Sequence, residues 1–154
     1  MRTQNIPTDN AFSNVPDQPA IDIEILQQLR LMLGVDTPHV MAGLIENYLE
    51  HAPRLLKEMR HCADCKDKLA QVAYTFKCRS LTFGATKLCS MCEELQSNGI
   101  SSHQAGQKVD QIEAEYDRVK MVLEAEWHRL YEIRLKTDVF FPTGSYKNIG
   151  FYPK

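Results

Sequence analysis

Two apolar stripes meet at a glycine in the middle of the chain. The first runs through Ala73-Tyr74-Thr75-Phe76-Lys77-Cys78-Arg79-Ser80-Leu81-Thr82-Phe83-Gly84-Ala85, and the second continues with Leu88, Cys92 and Leu95. Small or apolar residues recur at steps of three and four, which is the period of an α-helix with one buried face. Gly84 favours a turn between the two helices. The stretch therefore predicts a tight antiparallel helical hairpin, whose first helix buries Leu69, Ala73, Phe76 and Ser80.

The same helical period extends outward in both directions. A short helix is predicted over 22–33, with a buried stripe of Ile25, Leu29 and Met32. The last and longest helix carries an apolar stripe from Val109 to Leu130. Four long helices joined by short loops predict an all-α fold, an antiparallel up-and-down four-helix bundle with a short additional N-terminal helix.

Proline shapes the predicted helix that precedes the hairpin. Thr37 is expected to cap its N-terminus, with Pro38 at the first helical position, where the missing N–H costs nothing. Pro53 is expected to interrupt the helix and kink it near Glu50, after which it resumes through Met59.

The composition fits one folded domain with two extensions. The chain has 154 residues, of which 44% are hydrophobic and 25% charged, enough apolar content for a core. We expect a flexible N-terminal arm over 1–20, the bundle over 21–135 and an aromatic C-terminal tail over 136–154. The tail is rich in proline and glycine and is predicted to be a poor helix, either folded back over the bundle or available to a partner.

Charge and apolar patterning exclude several classes of protein. The net charge of −2 gives no cationic excess for nucleic acid. The longest apolar run is about five residues, far short of the roughly 20 that span a bilayer. With no apolar signal segment and an odd number of cysteines, we expect a cytoplasmic, monomeric protein without a membrane anchor.

The hairpin sequence resembles the histidine-containing phosphotransfer (HPt) domain of two-component phosphorelays. The family signature runs Ala-His-x-Leu-Lys-Gly-Ser-Ser, then Gly-Ala, then Leu, Cys and Leu-Glu, and the resemblance covers about residues 21 to 127. It implies the same helical bundle, and as partner the receiver domain of a response regulator or hybrid histidine kinase. It implies no cofactor and no metal.

The position of the family's phosphorylated histidine holds Tyr74. A phenol is almost entirely protonated at pH 7, and the sequence shows no base beside it. A phosphotyrosine ester is also too stable to pass its phosphoryl group onward. The resemblance therefore implies a non-catalytic pseudo-phosphotransfer domain that binds receivers without relaying phosphate.

The resemblance also implies a partner-binding face composed of Tyr74, Lys77, Cys78, Arg79 and Leu81. Lys77 keeps the place of the family lysine, whereas Cys78 and Arg79 replace small residues. Arg79 would either obstruct a receiver or pair with its acidic groups. Residues 66–87 carry a local charge of +4, which suits an acidic partner face or forms an ordinary solvated surface.

Two C-x-x-C pairs, Cys62 with Cys65 and Cys89 with Cys92, raise the question of zinc. In the predicted hairpin the two pairs lie roughly 20 Å apart, too far for one four-ligand site. Cys78 and Cys89 are expected to be neighbours, as packing residues or as a redox pair. Two other functions remain open: an active phosphotransfer protein with an unorthodox acceptor, and a structural interaction bundle that binds through its tail.

Overall fold

The structure, a computed structural model, describes residues 18–97 and 99–140, with side chains described as far as residue 136. Most of the predicted arm and the tail beyond residue 140 therefore lie outside the described residues. All regular structure in the described part is helical, so the all-α fold is confirmed. Its elements are α1 (Ile23–Leu33), a single 3-10 turn (Gly34–Asp36), α2 (Thr37–His61), α3 (Lys66–Leu81), α4 (Thr86–Gln96) and α5 (Ser102–Phe140).

The four long helices run antiparallel to their neighbours around the bundle. Between α2 and α3, Tyr48 meets Ser80 near one end and Glu58 meets Lys68 near the other. Between α4 and α5, Lys87 lies 3.5 Å from Glu115 and Lys108 lies 2.6 Å from Glu94. These opposite registers confirm the up-and-down bundle.

The centre of the bundle is an aromatic and aliphatic core. Tyr48 lies between Phe83 and Tyr116, with ring centroids 5.2 and 6.0 Å away, and Phe76 contacts the same group. The predicted stripes of α3, α4 and α5 are buried here, namely Leu69, Ala73, Phe76, Ser80, Leu88, Cys92, Leu95, Val109, Ile112, Tyr116, Val119, Leu123 and Leu130. Burial of this stripe on every helix is what holds the bundle together.

The buried stripe of α1 differs from the predicted one. Leu26 is 2% exposed, whereas Met32 is 82% exposed. Leu26, Leu29 and Leu33 define a stripe centred about 100° around the helix from Met32, and only this side meets the bundle. Met32 therefore faces away from the core, and its assignment to the stripe is wrong.

The proline predictions for α2 need two corrections. The N-cap is Asp36, and Thr37 is the first helical residue, with its Oγ1 donating to the carbonyls of Arg30 (2.9 Å) and Gly34. The helix is also continuous across Pro53 rather than interrupted. Pro53 is exposed, so its ring meets no neighbouring helix and the missing hydrogen bond falls on the solvent side.

Helix α5 extends further than predicted. It reaches Phe140, so the expected boundary between residues 135 and 136 falls inside it, and the prediction of a poor helix over 137–140 is wrong. No proline or glycine occurs between its predicted end and Pro142, which disfavours helical geometry at the residue preceding it. None of the described helices combines the length and apolar character required to cross a membrane.

Candidate protein-docking face on helix α3

One side of α3 stays open to solvent because the other side fills the core. Ala73 and Phe76 are fully buried, whereas Tyr74 and Leu81 are 55% and 51% exposed and Cys78 is exposed. Positions 74, 78 and 81 follow steps of four and three, so they form one outward stripe. We call the surface of Tyr74, Lys77, Cys78, Arg79 and Leu81 the α3 face. The exposure predicted for Tyr74 is confirmed.

Lys77 is held between two neighbours on this face. Its Nζ lies 5.3 Å from the centroid of the Tyr74 ring and 3.8 Å from Oε1 of Glu93 on α4. The ammonium group thus combines a cation–π contact with an ion pair, and its side chain is only 22% exposed. Among the described residues, no hydrogen bond engages the Tyr74 hydroxyl and no base contacts it.

Sequence reasoning missed Glu93 as a member of this region. The α3–α4 hairpin turns at Gly84 and Ala85, so residues equally distant from the turn lie opposite each other, as Lys77 and Glu93 do. Counting outward from Gly84 was the signal that would have found it. Because Glu93 is 63% exposed, a partner on the α3 face can reach its carboxylate.

Ser80 and Arg79 occupy opposite environments although they are adjacent in sequence. Ser80 is fully buried, with its Oγ 2.8 Å from the Tyr48 hydroxyl and donating to the Phe76 carbonyl. Arg79 is exposed, and no ion pair holds it within the part of the chain described. Ser80 is therefore a packing residue, whereas Arg79 is a cation available to a partner.

The positive charge predicted along residues 66–87 is largely matched by neighbouring helices. Lys68, Lys77 and Lys87 lie 3.7, 3.8 and 3.5 Å from Glu58, Glu93 and Glu115 respectively. Three of the five cations thus face an acidic group, which leaves about +1 of the predicted +4. The α3 face is closer to neutral than the sequence count suggested.

The cysteines are separated as the hairpin predicted. Cys89 and Cys92 are buried in α4, and burial raises the pKa of Cys89 to about 11 and that of Cys92 to about 12. The Cys89 thiol donates to the Lys77 carbonyl at 3.5 Å, next to exposed Cys78. Nowhere in the described ranges do three or more histidine, cysteine or acidic side chains converge as metal ligands do.

Comparison with known proteins finds a relative among regulators of phosphorelays. The chain is 28% identical over 98 residues to the multistep phosphorelay regulator 1 of Schizosaccharomyces pombe (strain 972 / ATCC 24843). The matched region covers 61% of this chain and 33% of that protein, so the chain spans about a third of the relative's length. No protein-family model matches the chain, and no solved structure matches it.

Proposed function

We propose that this protein is an HPt-like signalling module that docks the receiver domain of a response regulator or hybrid histidine kinase without carrying phosphate. The observation that carries the proposal is Tyr74, exposed at the phosphoacceptor position of an HPt-like bundle with Lys77 beside it. The similarity to a phosphorelay regulator supports the same class of signalling. Bound in this way, the protein acts as a competitor or adaptor in a phosphorelay.

The chemistry of Tyr74 separates docking from relay. Phosphoryl transfer from an aspartyl phosphate requires a nucleophile that is unprotonated at pH 7, as neutral imidazole is and a phenol is not. Lys77 lies over the ring, and an ammonium group cannot accept the phenolic proton. Among the described residues nothing else contacts the hydroxyl, so no general base is present to activate it.

The α3 face has the composition of a small protein interface. Tyr74 and Leu81 offer apolar contact area, and Arg79 offers a guanidinium that can bind a carboxylate with two hydrogen bonds. Interfaces commonly depend on a few aromatic and arginine side chains for most of their affinity. Receiver domains present carboxylates around their phosphorylated aspartate, which gives Arg79 an expected partner.

The central experiment mixes the purified protein with receivers that have been labelled on their aspartate. We expect the wild type to bind at least one receiver and to remain unlabelled. Tyr74→Ala and Arg79→Ala should each weaken that binding by about tenfold, the typical effect of losing a hot-spot side chain. Leu31→Ala is the matched control, because Leu31 is 81% exposed on α1 and lies outside the α3 face.

A gain-of-function variant tests the phosphoacceptor position directly. Tyr74→His should acquire an acid-labile label if the α3 face otherwise suits transfer. If it stays unlabelled but binds, adding Cys78→Gly and Arg79→Ser should restore transfer by clearing the approach. Tyr131→His, at another exposed tyrosine, controls for incidental labelling. Robust labelling of the wild type, or its failure to bind any receiver from the same cell, would contradict the proposal.

A further inference from the structure

The turn between α2 and α3 carries two cysteines that the proposed docking function does not use. Cys62 is the C-cap of α2 and Cys65 the N-cap of α3. The N–H of Cys65 donates to the Cys62 carbonyl at 2.9 Å, which closes a four-residue turn whose terminal Cα atoms lie within about 7 Å. Disulfides join Cα atoms about 4.4–6.8 Å apart. The turn therefore suits a disulfide without displacement of either helix.

The two thiols differ in their access to solvent. Cys65 is exposed, whereas Cys62 is 8% exposed and its thiol donates to the Met59 carbonyl at 3.8 Å. Burial raises the pKa of Cys62, and the charge of Lys68 offsets part of that rise. A small oxidant in solution therefore meets Cys65 first, and Cys62 lies one turn away.

The other cysteines lack this pairing of an exposed thiol with a buried one. Cys89 and Cys92 are both buried in the middle of α4, so neither can attack an external sulfur. Cys78 is exposed, but the thiol nearest to it in the hairpin, that of Cys89, is directed at the Lys77 carbonyl. Stable disulfides are rare in reducing compartments, where those that form are usually transient and redox-sensing.

We propose that Cys62 and Cys65 form a reversible thiol–disulfide site whose oxidant is a small disulfide of the glutathione class. The Cys65 thiolate attacks one sulfur of the oxidant, whose S–S bond breaks and releases one glutathione thiolate. The Cys62 thiolate then attacks Sγ of Cys65 and releases the second. Two cysteines are oxidised by two electrons, glutathione disulfide is reduced to two thiols, and the two cysteine protons end on them.

The test uses the full-length native protein equilibrated in buffers of varied ratio of glutathione to glutathione disulfide. After acid quenching and alkylation, trypsin cleaves at Arg60 and Lys66 and releases both cysteines in the single peptide 61–66. In oxidising buffers we expect this peptide to escape alkylation and lose the mass of two hydrogens, and dithiothreitol should reverse the change. Cys89 and Cys92 should be alkylated only after unfolding, with no loss of mass.

Variants separate the roles of the two thiols. Cys62→Ser should trap a single glutathione adduct on Cys65, and Cys65→Ser should remove the disulfide altogether. Cys78→Ser should leave the mass change at 61–66 unaltered. Because Cys65 is exposed, its serine variant should keep the helical circular dichroism of the wild type. Full alkylation of 61–66 at every ratio, or a disulfide that joins Cys78 to Cys89, would overturn the proposal.

Discussion

At the scale of single residues, the Tyr48–Ser80 pair shows how a buried polar contact supports the α3 face from behind. Ser80 Oγ donates to the Phe76 carbonyl and lies 2.8 Å from the Tyr48 hydroxyl. Both side chains are buried, and burial raises the pKa of Tyr48 well above that of a free phenol. The neutral hydroxyl is therefore the form that this contact holds in the core.

The two partners of that pair should not be equally sensitive to substitution. Ser80→Ala leaves the Tyr48 hydroxyl buried without its partner, which costs about 1–3 kcal/mol. Tyr48→Phe leaves Ser80 still bonded to the Phe76 carbonyl, so it should cost only about 0.5–1.5 kcal/mol. Urea unfolding of both variants and of the double variant measures the asymmetry. The double variant should resemble Tyr48→Phe, and strictly additive losses would contradict this expectation.

At the scale of elements, the α3–α4 turn also anchors α1. Gly84 has φ of +79°, and its carbonyl accepts the Asp22 N–H at 2.7 Å. A Cβ at this position would lie 2.8 Å from the Asp22 carbonyl oxygen and 3.0 Å from Cβ of Ile25. Glycine is therefore required here by both the backbone conformation and the close approach of α1.

Gly84→Ala should destabilise the fold more than an alanine at a glycine with open surroundings. Gly34 is the matched control, since its φ is +65° and a Cβ added there would have no neighbour within 4 Å. Both variants incur a left-handed backbone cost of roughly 1–2 kcal/mol, and Gly84→Ala adds a steric clash. Thermal unfolding should place the midpoint of Gly84→Ala clearly below that of Gly34→Ala. Equal midpoints would show that α1 yields at no cost.

A second contact joins α1 to α5 through a clamped carboxylate. Glu126 accepts hydrogen bonds from Arg30 at 2.6 Å and from Arg129 at 2.7 and 2.9 Å, and its side chain is 9% exposed. Burial acts to raise the pKa of Glu126, but the two arginines outweigh it and the net pKa is lowered. The ionised form is thus favoured in the folded state.

This clamp should make stability depend on pH through Glu126. A carboxylate with a lowered folded-state pKa stabilises the fold above its unfolded pKa of about 4.3, and that stabilisation is lost as the pH falls through the folded value. Glu126→Gln should therefore cost about 1–2 kcal/mol at pH 7 and progressively less below pH ~4.

The measurement is urea unfolding of wild type and Glu126→Gln from pH 7 to pH 3. Glu113→Gln is the control, because Glu113 forms an exposed ion pair with Arg60 and should change stability little at any pH. A difference for Glu126→Gln that stays constant across this range would show that the ionisation of Glu126 is not what stabilises the contact.

At the scale of the whole molecule, periodicity predicts the parts of the fold that have one clear apolar face. The hairpin stripes could be predicted because polar residues flank Phe76 and Leu88 on the other faces of their helices. In α1, Leu31, Met32 and Leu33 are consecutive, so periodicity alone could not show which of them packs inward. Whether Pro53 breaks α2 depended on what surrounds it.

The candidate site divides along the same line. The exposure of Tyr74 follows from helical geometry, since its neighbours Ala73 and Phe76 fill the core. The ion pair of Lys77 with Glu93 is a contact between helices, which the local charge count of residues 66–87 could not include. Sequence therefore predicts which side chains a partner can reach, whereas the electrostatics of the α3 face depends on packing between α3 and α4.

The molecule has two ends that share their long helices. At one end α1 packs on α2 and α5, where Arg30 meets Glu126 and Trp127 donates to Glu46 at 3.0 Å. At the other, α2 and α5 pack with α3 and α4, where Arg60 meets Asp110. Helix α5 has 39 residues and spans roughly 58 Å. Neither end can unfold alone without breaking the stripe that runs the length of α2 and α5.

We therefore expect a single cooperative transition. Trp127 is the chain's one tryptophan and reports the α1 end, whereas circular dichroism reports all helices together. Urea curves from tryptophan fluorescence and from helical ellipticity should coincide, as they do for two-state domains. Arg30→Ala, which removes one α1 contact to α5, should move both curves together. A fluorescence midpoint at lower urea than the ellipticity midpoint would instead show that the α1 end unfolds as a separate unit.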